Sequence, residues 1–245
     1  MSLIRKACND YGSELMTVPL TPDMDYDFDR MANAVTDDIS LVYICNPNNP
    51  TGKLTKGDLK GFCAKASEKK PIFVDEAYID YQEDPAKESM ISLVKEGKNV
   101  IVARTFSKVH AMAGLRIGYA ITTPENIEKL KIYSTDGNTT ARPSIMGAIE
   151  TLKDQEFMAY SRKMNQQSKE YLYKVLTDSG YEYVPSDTNF VLFPIRMNGD
   201  RFVMEMMKRG VGLKRVVYRD QHYCRVSMGT LQDMEYFANA FSELS

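Results

Sequence analysis

Between residues 40 and 45 the chain is almost wholly apolar, and a second such run covers 72–74. Short apolar runs bounded by turn residues predict strands buried on both faces, as in a parallel sheet. The pattern predicts two of them, over 40–45 and 71–76, and two further strands over 100–105 and 117–122. Between them, apolar residues recur at helical intervals over 28–35, from just after Thr55 to 69, and over 87–96. Pro124 suits the first turn of a further helix. A helix over 4–11, stopped by Gly12, and a strand over 14–20 precede the series. Strand and helix in alternation predict an α/β fold.

From Arg142 the pattern changes. Helices are predicted over 142–152 and 156–179, the second closed by Gly180. Short strands over 190–193 and 225–228 then mix with helices over 199–209 and 231–243. The expectation is a mostly parallel sheet domain over 1–155 and a smaller C-terminal α+β domain over 156–245.

Composition narrows the class. A formal net charge of −2 offers nothing that would draw nucleic acid or an anionic membrane, so neither is expected as a partner. No apolar run is long enough to cross a bilayer. The four cysteines show no CxxC pairing and there are only two histidines, so no metal is expected. Scattered cysteines of this kind suit a reducing compartment, here the cytoplasm. A targeting segment ahead of residue 1 stays open.

The polar residues at the ends of the predicted strands carry the chemistry. Lys108 lies just beyond the third, and lysine can form a Schiff base with an aldehyde cofactor. Asp75 closes the second strand, where a carboxylate could face a protonated pyridine nitrogen. Asn46 and Tyr78 can donate to a ring oxygen, and Thr105, Ser107 and Arg116 to a phosphate. In open α/β sheets ligands bind beyond the carboxyl ends of the strands, which is where this set falls. Together these are the requirements of pyridoxal 5′-phosphate. Glu76 reads as structural and His110 as packing near the site. One of the prolyl bonds Asn46–Pro47 and Asn49–Pro50 is expected to be cis.

Five motifs now carry a resemblance. They are Asn46-Pro-Asn-Asn-Pro-Thr-Gly52, Val74-Asp-Glu-Ala-Tyr78, Thr105-Phe-Ser-Lys108, Gly114-Leu-Arg-Ile-Gly118 and Arg225-Val-Ser-Met-Gly-Thr230. In this order the chain resembles the class I/II, fold-type I pyridoxal-phosphate aminotransferases, and most of all their histidinol-phosphate aminotransferase branch. The resemblance implies that Lys108 carries the cofactor and moves the proton, and that Asp75 pairs with the pyridinium. It implies that Asn46 and Tyr78 hold the ring oxygen, and that Ser107, Arg116 and Thr105 bind the phosphate. Arg225 would grip the anionic group of the substrate. The activity implied is transfer of an amino group from an amine donor, a histidinol-phosphate-like amine or an amino acid, to a 2-oxo acid, by a homodimer in the full-length protein.

The departures matter too. The family's large domain begins with a segment that has no match here. That segment brings a glycine-containing phosphate loop, an aromatic stacked on the cofactor ring, and a tyrosine that reaches the partner subunit's cofactor. The large domain is therefore expected to be incomplete, and this N-terminally truncated chain inactive by itself. Lys214 and Arg215 stand where the branch often has a second arginine, and residues 137–142 also differ from its pattern. Two further readings accompany the aminotransferase. One is a pyridoxal-phosphate decarboxylase or lyase acting on an amino acid or its phosphate ester, and the other is a non-catalytic fragment.

Overall fold

The structure, a computed structural model, describes residues 2–133 and 140–244. Helices α1 (Ser2–Asp10) and α2 (Phe28–Ala34) lead into strand β1 (Val42–Cys45), helix α3 (Leu59–Ala66) and strand β2 (Ile72–Asp75). Two short helices, α4 (Pro85–Glu88) and α5 (Ile91–Lys95), precede β3 (Val100–Thr105), and β4 (Gly118–Ile121) and α6 (Pro124–Lys131) follow it. These strands form one sheet in the order β1-β2-β3-β4. The first three are parallel, and β4 runs antiparallel to β3. The turn from Phe106 to Ile117 returns the chain directly onto the sheet edge, with no crossover helix to reverse its direction again.

The alternation of side chains across this sheet decides what reaches the site. Ile44, Ile72, Val74, Val100 and Val102 point to one face and pack on Leu59, Phe62 and Cys63 of α3, Met31 of α2 and Leu93 of α5. Tyr43, Cys45, Phe73 and Asp75 therefore point to the other face.

Helices α7 (Arg142–Lys153) and α8 (Gln155–Asp178) lead to the second sheet. It comprises β5 (Phe190–Pro194), β6 (Lys214–Tyr218) and β7 (Gln221–Ser227), antiparallel in the order β5-β7-β6, with α9 (Gly199–Lys208) and α10 (Leu231–Ser242). Its core joins Leu172 and Leu176 of α8 to Val191, Phe193, Val226, Phe202 and Phe241. Phe193, Phe202 and Phe241 meet edge to face, the arrangement that the ring quadrupole favours. Gly180, at φ 71°, closes α8 in the left-handed region that glycine adopts freely. Among the described residues, no helix is long and apolar enough to cross a membrane.

Several expectations change. Residues 14–20 form no strand, only irregular chain. The helix expected over 87–96 is two pieces, broken at Ser89, where the backbone turns extended. A third strand, β6, lies in the second sheet where none was expected. Of the unusual stretch 137–142, residues 137–139 lie outside the described residues.

Candidate active site

Asp75, the last residue of β2, is half-buried at the carboxyl edge of the first sheet. Its Oδ2 accepts a hydrogen bond from the Tyr43 hydroxyl at 2.8 Å, and its Oδ1 accepts one from the Ala77 N–H at 3.1 Å. It lines a cavity of about 350 Å³, to which Thr105, Ser107, Lys108 and Arg116 also contribute. That volume suits a small organic molecule.

The chain beyond β3 is folded back by local bonds. Thr105 Oγ1 accepts the Ser107 N–H at 3.1 Å, which closes the turn that presents Lys108. Arg116 adopts a left-handed backbone (φ 50°), and its Nη1 donates to the Ala113 carbonyl at 2.8 Å. The cavity thus gathers one amine, one carboxylate, two hydroxyls and two guanidiniums, of which that of Arg104 is paired with Glu76. This donor set fits a ligand with an aldehyde, a ring base and a phosphate.

A second group of residues adjoins the lysine. Lys108 Nζ lies 5.0 Å from the centre of the buried Tyr78 ring. Asn49 Nδ2 reaches toward the Tyr78 hydroxyl at 3.5 Å, and Asn49 Oδ1 accepts from Arg225 Nη1 at 3.3 Å. The Arg225 guanidinium lies over the Phe190 ring at 4.5 Å, and Phe190 meets Tyr78 edge-on. Arg225 Nε is buried and has no hydrogen-bond partner among the described residues. An unpaired guanidinium donor in such a place favours an anionic ligand.

Asp75, Thr105, Ser107, Lys108 and Arg116 therefore share one cavity, with Tyr78 and Arg225 beside it. Asn46 is elsewhere. Its Oδ1 accepts the Thr55 N–H at 2.9 Å, and it lines a separate cavity of about 140 Å³ at the start of α3. Strand alternation is the reason, since Asn46 follows Cys45 and so leaves the strand on the face of Ile44. After the cis Asn46–Pro47 bond, the turn brings Asn49 to Tyr78 and Arg225 instead. Asn49 and Tyr43 are the two residues missed at the sequence level. The parity of β1 carried the signal for the first, and the face that Tyr43 shares with Asp75 carried it for the second.

Two charged neighbours serve the scaffold. Buried Glu76 accepts from the Met90 N–H at 2.7 Å, the Ser89 hydroxyl at 2.8 Å and Arg104 Nε at 3.0 Å. His110 is buried, with Nδ1 3.2 Å from Thr151 Oγ1 and Nε2 3.9 Å from Asp80. Burial holds its pKa below the ordinary histidine value, with Asp80 opposing and nearby Arg162 adding to the effect.

At the carboxyl edge of a mixed, mostly parallel sheet the chain thus gathers a lysine, a carboxylate, hydroxyls and guanidiniums. Residues 2–241 match the class I and II aminotransferases, and the chain belongs to that family. It is 33% identical over 236 residues to the histidinol-phosphate aminotransferase of Moorella thermoacetica, an alignment covering 95% of this chain and 61% of that protein. It is 34% identical over 201 residues to the aromatic amino acid aminotransferase of Cutibacterium acnes, covering 82% and 57%. The crystal structure of histidinol-phosphate aminotransferase from Sinorhizobium meliloti in complex with pyridoxal-5′-phosphate superposes with a TM-score of 0.87 at 26% identity, over 100% of this chain and 69% of that one. The chain spans between 54% and 61% of the length of the first curated relatives it matches.

Proposed function

We propose that this chain carries the cofactor-holding core of a pyridoxal-phosphate-dependent aminotransferase, which moves an amino group from an amine donor to a 2-oxo acid. The observation that carries the reading is the convergence of Lys108, Asp75, Ser107 and Arg116 on one cavity. When bound, the cofactor supplies an aldehyde that takes up the amine and a ring that withdraws electrons. In this reading Lys108 Nζ anchors the cofactor and holds the proton that is moved. Asp75 faces the ring nitrogen, Tyr78 and Asn49 face the ring oxygen, and Thr105, Ser107 and Arg116 take the phosphate. Arg225 orients the substrate's anionic group, and Lys214 stands opposite it in the β6–β7 register.

Adding pyridoxal phosphate to the protein should produce a visible absorption band that Lys108→Ala removes. Nitrogen transfer to 2-oxoglutarate is then measured with histidinol phosphate and with an aromatic amino acid as donors, because relatives of both kinds match at similar identity. No band, or a band indifferent to Lys108→Ala, overturns the reading. Carbon dioxide release that needs no 2-oxo acid would replace it with the decarboxylase.

The same reading makes the full-length protein a homodimer in the cytoplasm. Helix α7 exposes Ile145, Met146, Ile149 and Leu152, an apolar ridge that a second copy would cover. A monomer by light scattering at micromolar concentration would sink the dimer. The four free cysteines suit a reducing compartment, and cell fractionation tests that placement.

A further inference from the structure

We propose that Tyr43 is a positioning residue for Asp75, its hydroxyl fixing the carboxylate in the orientation that a cofactor ring nitrogen requires. The proposal rests on the functional reading above and adds to it a residue outside the five motifs. Tyr43 lies on β1 in register with Phe73, two residues short of Asp75. Its side chain must therefore run diagonally along the sheet, a reach that aromatic residues can make. The Tyr43 and Phe73 rings are stacked, with centroids 5.7 Å apart and planes 19° from parallel, and this sets the direction of the hydroxyl. The result is a 2.8 Å hydrogen bond to Oδ2, the one side-chain bond that Asp75 receives among the described residues.

Chemistry favours a positioning role. With Tyr43 on one oxygen and the Ala77 N–H on the other, the carboxylate cannot turn without losing a donor. An ionised carboxylate has about four lone-pair sites, so acceptor capacity remains for a partner in the cavity. Burial pushes the Tyr43 hydroxyl well above its ordinary pKa, with the neighbouring Cys45 and Asp75 adding to the effect. Tyr43 is thus a permanent donor at any working pH.

The bland alternative is a phenol that merely satisfies its own burial. A double-mutant cycle separates the two. The dissociation constant for pyridoxal phosphate is measured by absorbance titration for the full chain, Tyr43→Phe, Asp75→Asn and the double variant. The Tyr43→Phe change should weaken binding roughly tenfold to a hundredfold, the range for a lost hydrogen bond to a charged group. In the Asp75→Asn background the same change should have an effect several-fold smaller. An equal loss in both backgrounds, as general loosening of the fold would give, overturns the proposal, and so does no loss in the first. A wild-type chain that takes up no cofactor overturns the functional reading and this inference with it. Uptake by wild type with unchanged Tyr43→Phe defeats this inference alone.

Discussion

Asn49 joins the two sheets at the site, because its amide reaches Tyr78 on one side and accepts from Arg225 on the other. Replacing it with alanine removes both contacts and leaves a second guanidinium nitrogen of Arg225 without this partner. We expect Asn49→Ala to lower kcat/KM, or cofactor affinity where turnover is absent, by about tenfold or more. Asn46→Ala should behave differently. It orphans the half-buried Thr55 N–H, so denaturant unfolding should show a loss of about 1 kcal/mol while cofactor titration stays near wild type. The opposite ranking in those two measurements would contradict the geometry. The motif around residues 46–52 was plain from its turn residues. Which of its asparagines faces the cavity depended on strand parity, which is not a property of the motif itself.

At the scale of elements, the segment 186–188 of the second unit is fastened to the turn that carries Asn49. The Asp187 N–H donates to the Gly52 carbonyl at 2.7 Å, and Asp187 Oδ2 accepts the Leu54 N–H at 2.8 Å. Gln82 and the buried Lys169 hold the Asp187 and Ser186 carbonyls. Gly52 makes this docking possible. Its φ is 81°, and a Cβ there would lie 2.6 Å from Ser186 Oγ. Gly52→Ala combines left-handed strain of about 1–2 kcal/mol with that collision. The melting temperature should fall by roughly 4–8 °C, and an unchanged value would refute the close docking. Such long-range ties also explain where the elements depart from the local pattern. The helix over 87–96 breaks because Glu76 captures the Ser89 hydroxyl and Met90 N–H, a partner 13 and 14 residues away. Helix α3 starts at Leu59, not just after Thr55, because Asp25 takes the Thr55 hydroxyl and the Lys56 N–H. The alternating 14–20 segment has strand character but no strand to pair with. Strand β6 begins with Lys214 and Arg215, charges that masked its pairing with β7.

Across the whole molecule, the apolar runs were enough to predict the four strands of the first sheet and the carboxyl edge of β1 to β3, though not that β4 runs antiparallel. What local pattern could not supply is the wiring between units. Asp80 receives Arg104 at 3.4 Å, Arg162 of α8 donates to its carbonyl at 2.6 Å, and His110 lies 3.9 Å from its carboxylate. His110 also contacts Thr151 of α7 and stacks at a tilt against Phe106, two residues before Lys108. This buried junction links the lysine loop to both helices that lead into the second sheet. It should also set the acid side of the stability curve. Because burial lowers the pKa of His110, the unfolded imidazole takes up its proton near pH 6.5 while the folded one resists. Stability is therefore full above about pH 6.5 and is lost as pH falls from there through the folded pKa, by at most about 1.4 kcal/mol per pH unit for one proton. Denaturant unfolding from pH 8 to 5 should show this decline. His110→Gln, which cannot take up a proton, should be less stable at pH 8 and flatter below 6.5. A variant whose slope between pH 6.5 and 5 matches wild type would assign the decline to other groups.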